Sequence, residues 1–234
     1  MGQKNKVAEA SREVVDERLK VWMSAVLAVL IFYGAQLAIV DVAGPDAWNA
    51  LWMMGGLGIA GVMLLLLALL QVPKGRGVGS LKGQELWQVV PVGAVLITLA
   101  YVIAALWDVA LGGISDPGQS NILHDLPSSG WLLFVLMLLI FPALAEELLY
   151  RHFLFRLFPL ARRSARVAAV LVTSALFMWA HGDYPEGASF ALMGCLGIIL
   201  GTVRSVSGGL LAPLLLHSYA VGLSFALDFS GWGI

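Results

Sequence analysis

Seven apolar stretches, near residues 21–40, 51–72, 89–111, 131–158, 167–182, 189–206 and 209–227, constrain this chain more than any other feature. Several approach or exceed the ~18 residues needed to cross a hydrocarbon core, with few or no charges. A backbone in that environment must satisfy its own hydrogen bonds, so each stretch is read as a helix. Composition agrees: 59% of the 234 residues are hydrophobic and 12% are charged. A soluble domain of this length could not solvate such a surface. The expected fold class is all-α, a polytopic membrane protein of about seven transmembrane helices (six to eight).

The connectors give the orientation. All 14 basic residues fall on one side of the membrane if the seven spans alternate. They are Lys4, Lys6, Arg12, Arg18 and Lys20 before the first span, Lys74, Arg76 and Lys82 after the second, the Arg151–Arg166 group, and Arg204. The segments DVAGPDA, GGISDPGQSNILHDLPSSG and GDYPEG, on the other side, have none. The positive-inside rule therefore puts the N-terminus in the cytoplasm. Tryptophans at residues 22, 48, 52, 87, 107, 131 and 232 mark span ends as an aromatic belt should, while Trp179 lies inside the fifth span. The reading divides the chain into a cytoplasmic N-terminal helix (1–20) and one transmembrane domain (21–234). Membrane lipid is an expected partner. Nucleic acid is not, because no basic cluster with interleaved aromatics occurs. The single cysteine, Cys195, excludes an intrachain disulfide.

Against this background PALAEELLYRHFLF (Pro142 to Phe155) is anomalous, because it puts carboxylates and an arginine directly after the uncharged run WLLFVLMLLIF. Ionisable groups inside a membrane are costly and are a functional-site hypothesis by default. On a helix Glu147 and Arg151 are four apart and share a face, in the favourable acid-before-base order. Glu146 is rotated by about 100° and lacks that partner. The spacing divides the two acids into a neutralised structural anion, Glu147, and a carboxylate left for chemistry, Glu146. The plainer alternative is that both mark the interfacial end of a span.

Two of the four histidines, His181 and His217, also lie in apolar stretches. Either alone reads as a hydrogen-bonded packing residue. Together with Glu146 they offer a carboxylate to activate water and imidazoles to donate to an oxyanion. If the fourth helix continues to Phe158, before the stop at Pro159, Glu146 stands about 18 Å above its inner end and His217 about 13 Å beyond Gly208. The three then approach one level, with His181 the hardest to bring there. Zinc is an alternative use of Glu146, His181 and His217. Gly197-x-x-x-Gly201 is read as ordinary close helix packing. A transpeptidase built on Cys195, Arg204 and a histidine lacks the surrounding motif.

Glu146-Glu147-x-x-x-Arg151, Phe177-x-x-x-His181 and His217 resemble, in order, the motifs of the CAAX protease and bacteriocin-processing family (CPBP, or Abi), which includes the type II CAAX prenyl endopeptidases. The resemblance covers about 131–227. It implies an intramembrane endopeptidase acting on membrane-attached, prenylated or leader-type peptides, with no required cofactor in the favoured reading. Glu146 would be the general base, His181 would orient water or stabilise the tetrahedral intermediate, and His217 would donate to the oxyanion. Glu147 and Arg151 would support them. The family's third motif usually runs His-x-x-x-Asn, and here Val221 takes the asparagine's place, leaving Ser224 as the nearest replacement donor. That departure carries the alternative of a non-catalytic member acting in bacteriocin self-immunity or as a scaffold. A transporter is disfavoured because no internal repeat is present. The compact chain, without a targeting sequence, points to a bacterial inner membrane.

Overall fold

The computed structural model describes residues 2–44, 49–71, 79–110, 130–182 and 187–229. These form α1 (Gly2–Ala43), α2 (Ala50–Leu70), a single turn α3 (Gly79–Lys82), α4 (Leu86–Ala110) and α5 (Trp131–Glu146). After α5 the chain passes without a break into a π-helix (Glu147–Leu154) and a 3-10 turn (Phe155–Leu157). Then come α6 (Arg163–Ala180), α7 (Gly187–Ser207) and α8 (Leu211–Phe229). No strand occurs among the described residues.

Seven of these helices are long and apolar enough to span a membrane, and their bounds follow the seven apolar stretches to within a few residues. Their outward faces are apolar too: Leu70 is 84% exposed and Leu132 72% exposed. Such a surface suits lipid and not water, the expected consequence of helices that are hydrophobic all round. The expected N-terminal helix and the first span are one continuous helix, α1. Trp179, the one tryptophan read inside a span, lies in the last turn of α6 and faces outward. Trp48, Lys74, Arg76 and Trp232, and most of the uncharged connectors, lie outside the described residues.

Two helix pairs owe their closeness to glycine. In α2, a Cβ on Gly58 would lie 2.7 Å from the Phe141 ring, and one on Gly61 would lie 3.3 Å from the Ala145 backbone nitrogen. The bare faces of these residues let α2 press against α5 where α5 approaches Glu146. In α7, Gly197 and Gly201 lie against Ser174 and Val170 of α6, the packing expected of that pair. Around these pairs α1 packs on α2, α4 on α7 and α8, and α5 on α8, closing a bundle. At one end Gly83, at φ +75°, lets the α3–α4 link lie on the α7–α8 turn. Gln84 N–H donates to Ser207 O there, and Leu210 N–H to Leu81 O.

The helix carrying the acids differs from expectation in kind. It reaches Leu157, close to the expected Phe158, but beyond Glu146 it is not an α-helix. Pro142 lies one turn earlier, where its ring removes an N–H from the ladder. The Phe155 N–H bonds to Tyr150 O, five residues back. Insertions of this type recur at functional sites.

Candidate active site

The change from α to π geometry falls between the two acids. Glu146 is the last residue of α5 and Glu147 the first of the π-helix. Glu147 is wholly buried, with Oε1 at 3.2 Å from Arg151 Nη1 and 2.8 Å from His217 Nδ1. Arg151 is equally buried; its Nη2 donates to Gly197 O at 3.3 Å and its guanidinium lies 4.7 Å from the Phe177 ring centre. Two opposite charges taken out of water are tolerable only when paired; here Arg151 Nη2 and Glu147 Oε1 are each also hydrogen-bonded, while Glu147 Oε2 and Arg151 Nε have no hydrogen-bond partner among the described residues. Glu147 is thus the acid held by both a guanidinium and an imidazole.

Glu146 points elsewhere. Its Oε2 is buried with no hydrogen-bond partner among the described residues, and it faces His181 Nε2 at 4.0 Å and His217 Nε2 at 3.9 Å. Those separations exceed a direct hydrogen bond and match a gap that one water can bridge. The opposite ring nitrogens are committed. His181 Nδ1 lies 2.8 Å from Phe177 O, which can only accept. His217 Nδ1 lies 2.8 Å from Glu147 Oε1, an acceptor within an ion pair. Both Nδ1 atoms therefore carry the proton, and in the neutral rings both Nε2 lone pairs face Glu146. Phe177 fixes the arrangement from one side, with its ring 4.5 Å from that of His181 and edge-on to that of His217 at 5.9 Å.

These groups stand in the wall of a cavity of about 1180 Å³. Phe32 and Tyr33 of α1, Met54 and Leu57 of α2, and Phe190 and Met193 of α7 make much of its lining apolar. Glu146, His181 and His217 supply its ionisable groups, and Tyr33, Tyr101 and Tyr150 its hydroxyls. Val221 and Ser224 also line it, on the helix that carries His217. An apolar chamber with a few convergent polar groups is the usual form of a ligand site.

The structure thus brings Glu146, His181 and His217 to one level, with Glu147 and Arg151 behind them and Ser224 on the same cavity wall. His181, the residue hardest to place from helix lengths, reaches that level because it caps the C-terminus of α6. Sequence reasoning did not find the support beneath the π-helix. Arg204 donates through Nε to Arg151 O at 3.0 Å, and the buried His152 lies 3.3 Å from Arg156 Nη1. The sequence offers Arg204 as a connector charge and as a transpeptidase candidate, and neither reading points to this contact with a backbone carbonyl. Cys195 is exposed on α7, on the side opposite the buried Arg204, so the two do not meet in a transpeptidase-like site.

Glu146, His181 and His217 are suitable residue types for zinc. Among the described residues, however, no three His, Cys, Asp or Glu side chains are gathered as ligands around one ion would be.

Residues 128–222 match the family model for type II CAAX prenyl endopeptidase Rce1-like proteins. A curated relative from Escherichia coli, named "Uncharacterized 24.3 kDa protein", is 32% identical over 132 residues, 56% of this chain. The chain spans 60% of that relative's length. No solved structure matches the chain significantly.

Proposed function

We propose that this protein is an intramembrane endopeptidase in which Glu146 activates the attacking water, a reading supported by the match of residues 128–222 to the family model for type II CAAX prenyl endopeptidase Rce1-like proteins. The observation that carries this reading is the convergence of His181 Nε2 and His217 Nε2 on Glu146 Oε2 at 4.0 and 3.9 Å, with no direct hydrogen bond to that oxygen among the described residues. A water seated among them donates one hydrogen to the carboxylate and the other to an Nε2 lone pair. Its own lone pair is then directed into the cavity, towards a substrate carbonyl.

As the oxygen–carbon bond forms, Glu146 takes the water's proton, and it returns that proton to the leaving amine when the peptide bond breaks. His181, held by Phe177 O, orients the water. His217 serves as oxyanion donor in its imidazolium form, in which Nε2 also carries a proton. The Glu147 carboxylate accepts from its Nδ1 and holds the ring's orientation, much as a buried carboxylate does for the histidine of a catalytic triad. Ser224 is a further donor on the same helix, and Val221 is not.

The substrate is a membrane-attached peptide, prenylated or of leader type. It takes its apolar part into the chamber lined by α1, α2 and α7. The positive-inside distribution supports a cytoplasmic N-terminus. The test is cleavage of a fluorescence-quenched, lipid-anchored peptide by purified protein, with His181→Ala and a chelator as separate arms. Loss of cleavage in His181→Ala with chelator resistance supports the mechanism as stated. Chelator-sensitive activity restored by zinc replaces it with a metalloprotease. Val221 favours a second reading, a non-catalytic family member, and a protein that binds such peptides without cleaving them would establish it.

A further inference from the structure

A second recess, of about 480 Å³, lies where α1 meets the end of the π-helix. It shares no lining residue with the large cavity. Glu17, Arg18, Val21 and Trp22 of α1 form one wall, and Arg156, Leu157, Phe158 and Pro159 the other. The three charged groups of its lining are unequal. Glu17 is already paired with Lys20 at 3.0 Å. Neither Arg18 nor Arg156 is ion-paired among the described residues. Arg156 Nη1 lies 3.3 Å from Nε2 of His152, which is no counter-ion, and the buried Arg204 adds a further positive charge close by.

A half-buried guanidinium at the end of a membrane span is expensive without an anion. Among the described residues no acid is paired with it. Glu147 is committed to Arg151 and Glu17 to Lys20. The rest of the lining shows where the anion comes from. Trp22 is 54% exposed at the side of the recess, a residue type that settles at the headgroup level, and Val21, Leu157 and Phe158 offer an apolar seat beside the two arginines. A group with a phosphate at one end and hydrocarbon at the other satisfies both halves. Arginine is the residue best suited to hold that phosphate.

We propose that Arg18 and Arg156 bind the phosphate of an anionic phospholipid, with its glycerol and upper acyl carbons against Trp22, Leu157 and Phe158. The lipid clamps α1 to the end of the segment that carries Glu146 and Glu147. This inference does not depend on the protease reading.

The experiment uses the full-length protein, delipidated in detergent and then reconstituted in phosphatidylcholine nanodiscs with or without phosphatidylglycerol. Retained phosphatidylglycerol is read by native mass spectrometry and stability by thermal unfolding. The expected result is selective retention, with a rise in melting temperature. Arg18→Gln and Arg156→Gln should each lower retention about fivefold, while Arg163→Gln, an exposed arginine outside the recess, leaves it unchanged. Arg18 is exposed, so that variant folds even if Arg156→Gln does not. Equal retention by the wild type and Arg18→Gln overturns the proposal, as does an equal loss in Arg163→Gln. A stabilisation reproduced by inorganic phosphate alone overturns the lipid as its source.

Discussion

His217 Nδ1 lies 2.8 Å from Glu147 Oε1, so the histidine of the last helix is bound to the acid that is not the proposed base. Glu147 thereby serves two partners, Arg151 and His217, and both are buried with it. Replacing it strands the Arg151 charge. Glu147→Gln is predicted to destabilise the protein by ~3–5 kcal/mol, the usual cost of leaving one member of a buried pair. Glu146 has no such partner, and Glu146→Gln should leave stability nearly unchanged. Denaturant unfolding in detergent separates the two; equal losses would contradict the division of roles.

Phe177 touches three of the groups that matter, His181, His217 and Arg151. Its ring is 2% exposed, so Phe177→Ala removes packing that little can replace and should cost ~3–5 kcal/mol. Phe177→Leu should cost less, yet still lower the cleavage rate, because both imidazoles lose the flat surface that holds them. A Phe177→Leu protein with wild-type turnover would show that the rings are fixed by their hydrogen bonds alone.

Much of the fold was legible because lipid imposes it. The seven apolar stretches announced the seven spans, and the i, i+4 spacing of Glu147 and Arg151 announced their ion pair. The π-helix was not legible, since a shift of the ladder from four residues to five leaves no mark in the order of side chains. The support from Arg204 was also hidden. Its partner is a backbone carbonyl, Arg151 O, and sequence patterns report side chains. Phe177 was visible as part of a motif, but its service to three residues at once depends on how α5, α6 and α8 pack.

Gly197 is predicted to be the less tolerant of two nearby glycines. A Cβ there would sit 3.0 Å from Ser174 Cα, where backbone must move, and the carbonyl held by Arg151 moves with it. At Gly194 the obstacle is Met178 Sδ at 2.7 Å, near the end of a flexible side chain. Gly197→Ala should therefore cost ~1–3 kcal/mol through overpacking, partly offset by better helix propensity. Gly194→Ala should be close to neutral. Melting temperatures of the two variants decide the order.

Val221 lines the main cavity one turn beyond His217. An amide there adds a donor where the proposed oxyanion forms, so Val221→Asn should raise the cleavage rate, by about tenfold or more if the donor is well aimed. Ser224→Ala should lower it. An unchanged rate in both variants would remove this helix face from the mechanism and leave His217 as its only contributor.

The central claim is that Glu146 activates water for peptide hydrolysis. Its most direct test incubates wild type and Glu146→Gln, each in lipid nanodiscs, with a library of membrane-anchored peptides and reads new termini by mass spectrometry. The account predicts defined cleavage products from the wild type and none from Glu146→Gln, which should unfold at the same temperature. Cleavage by Glu146→Gln at the wild-type rate would contradict it.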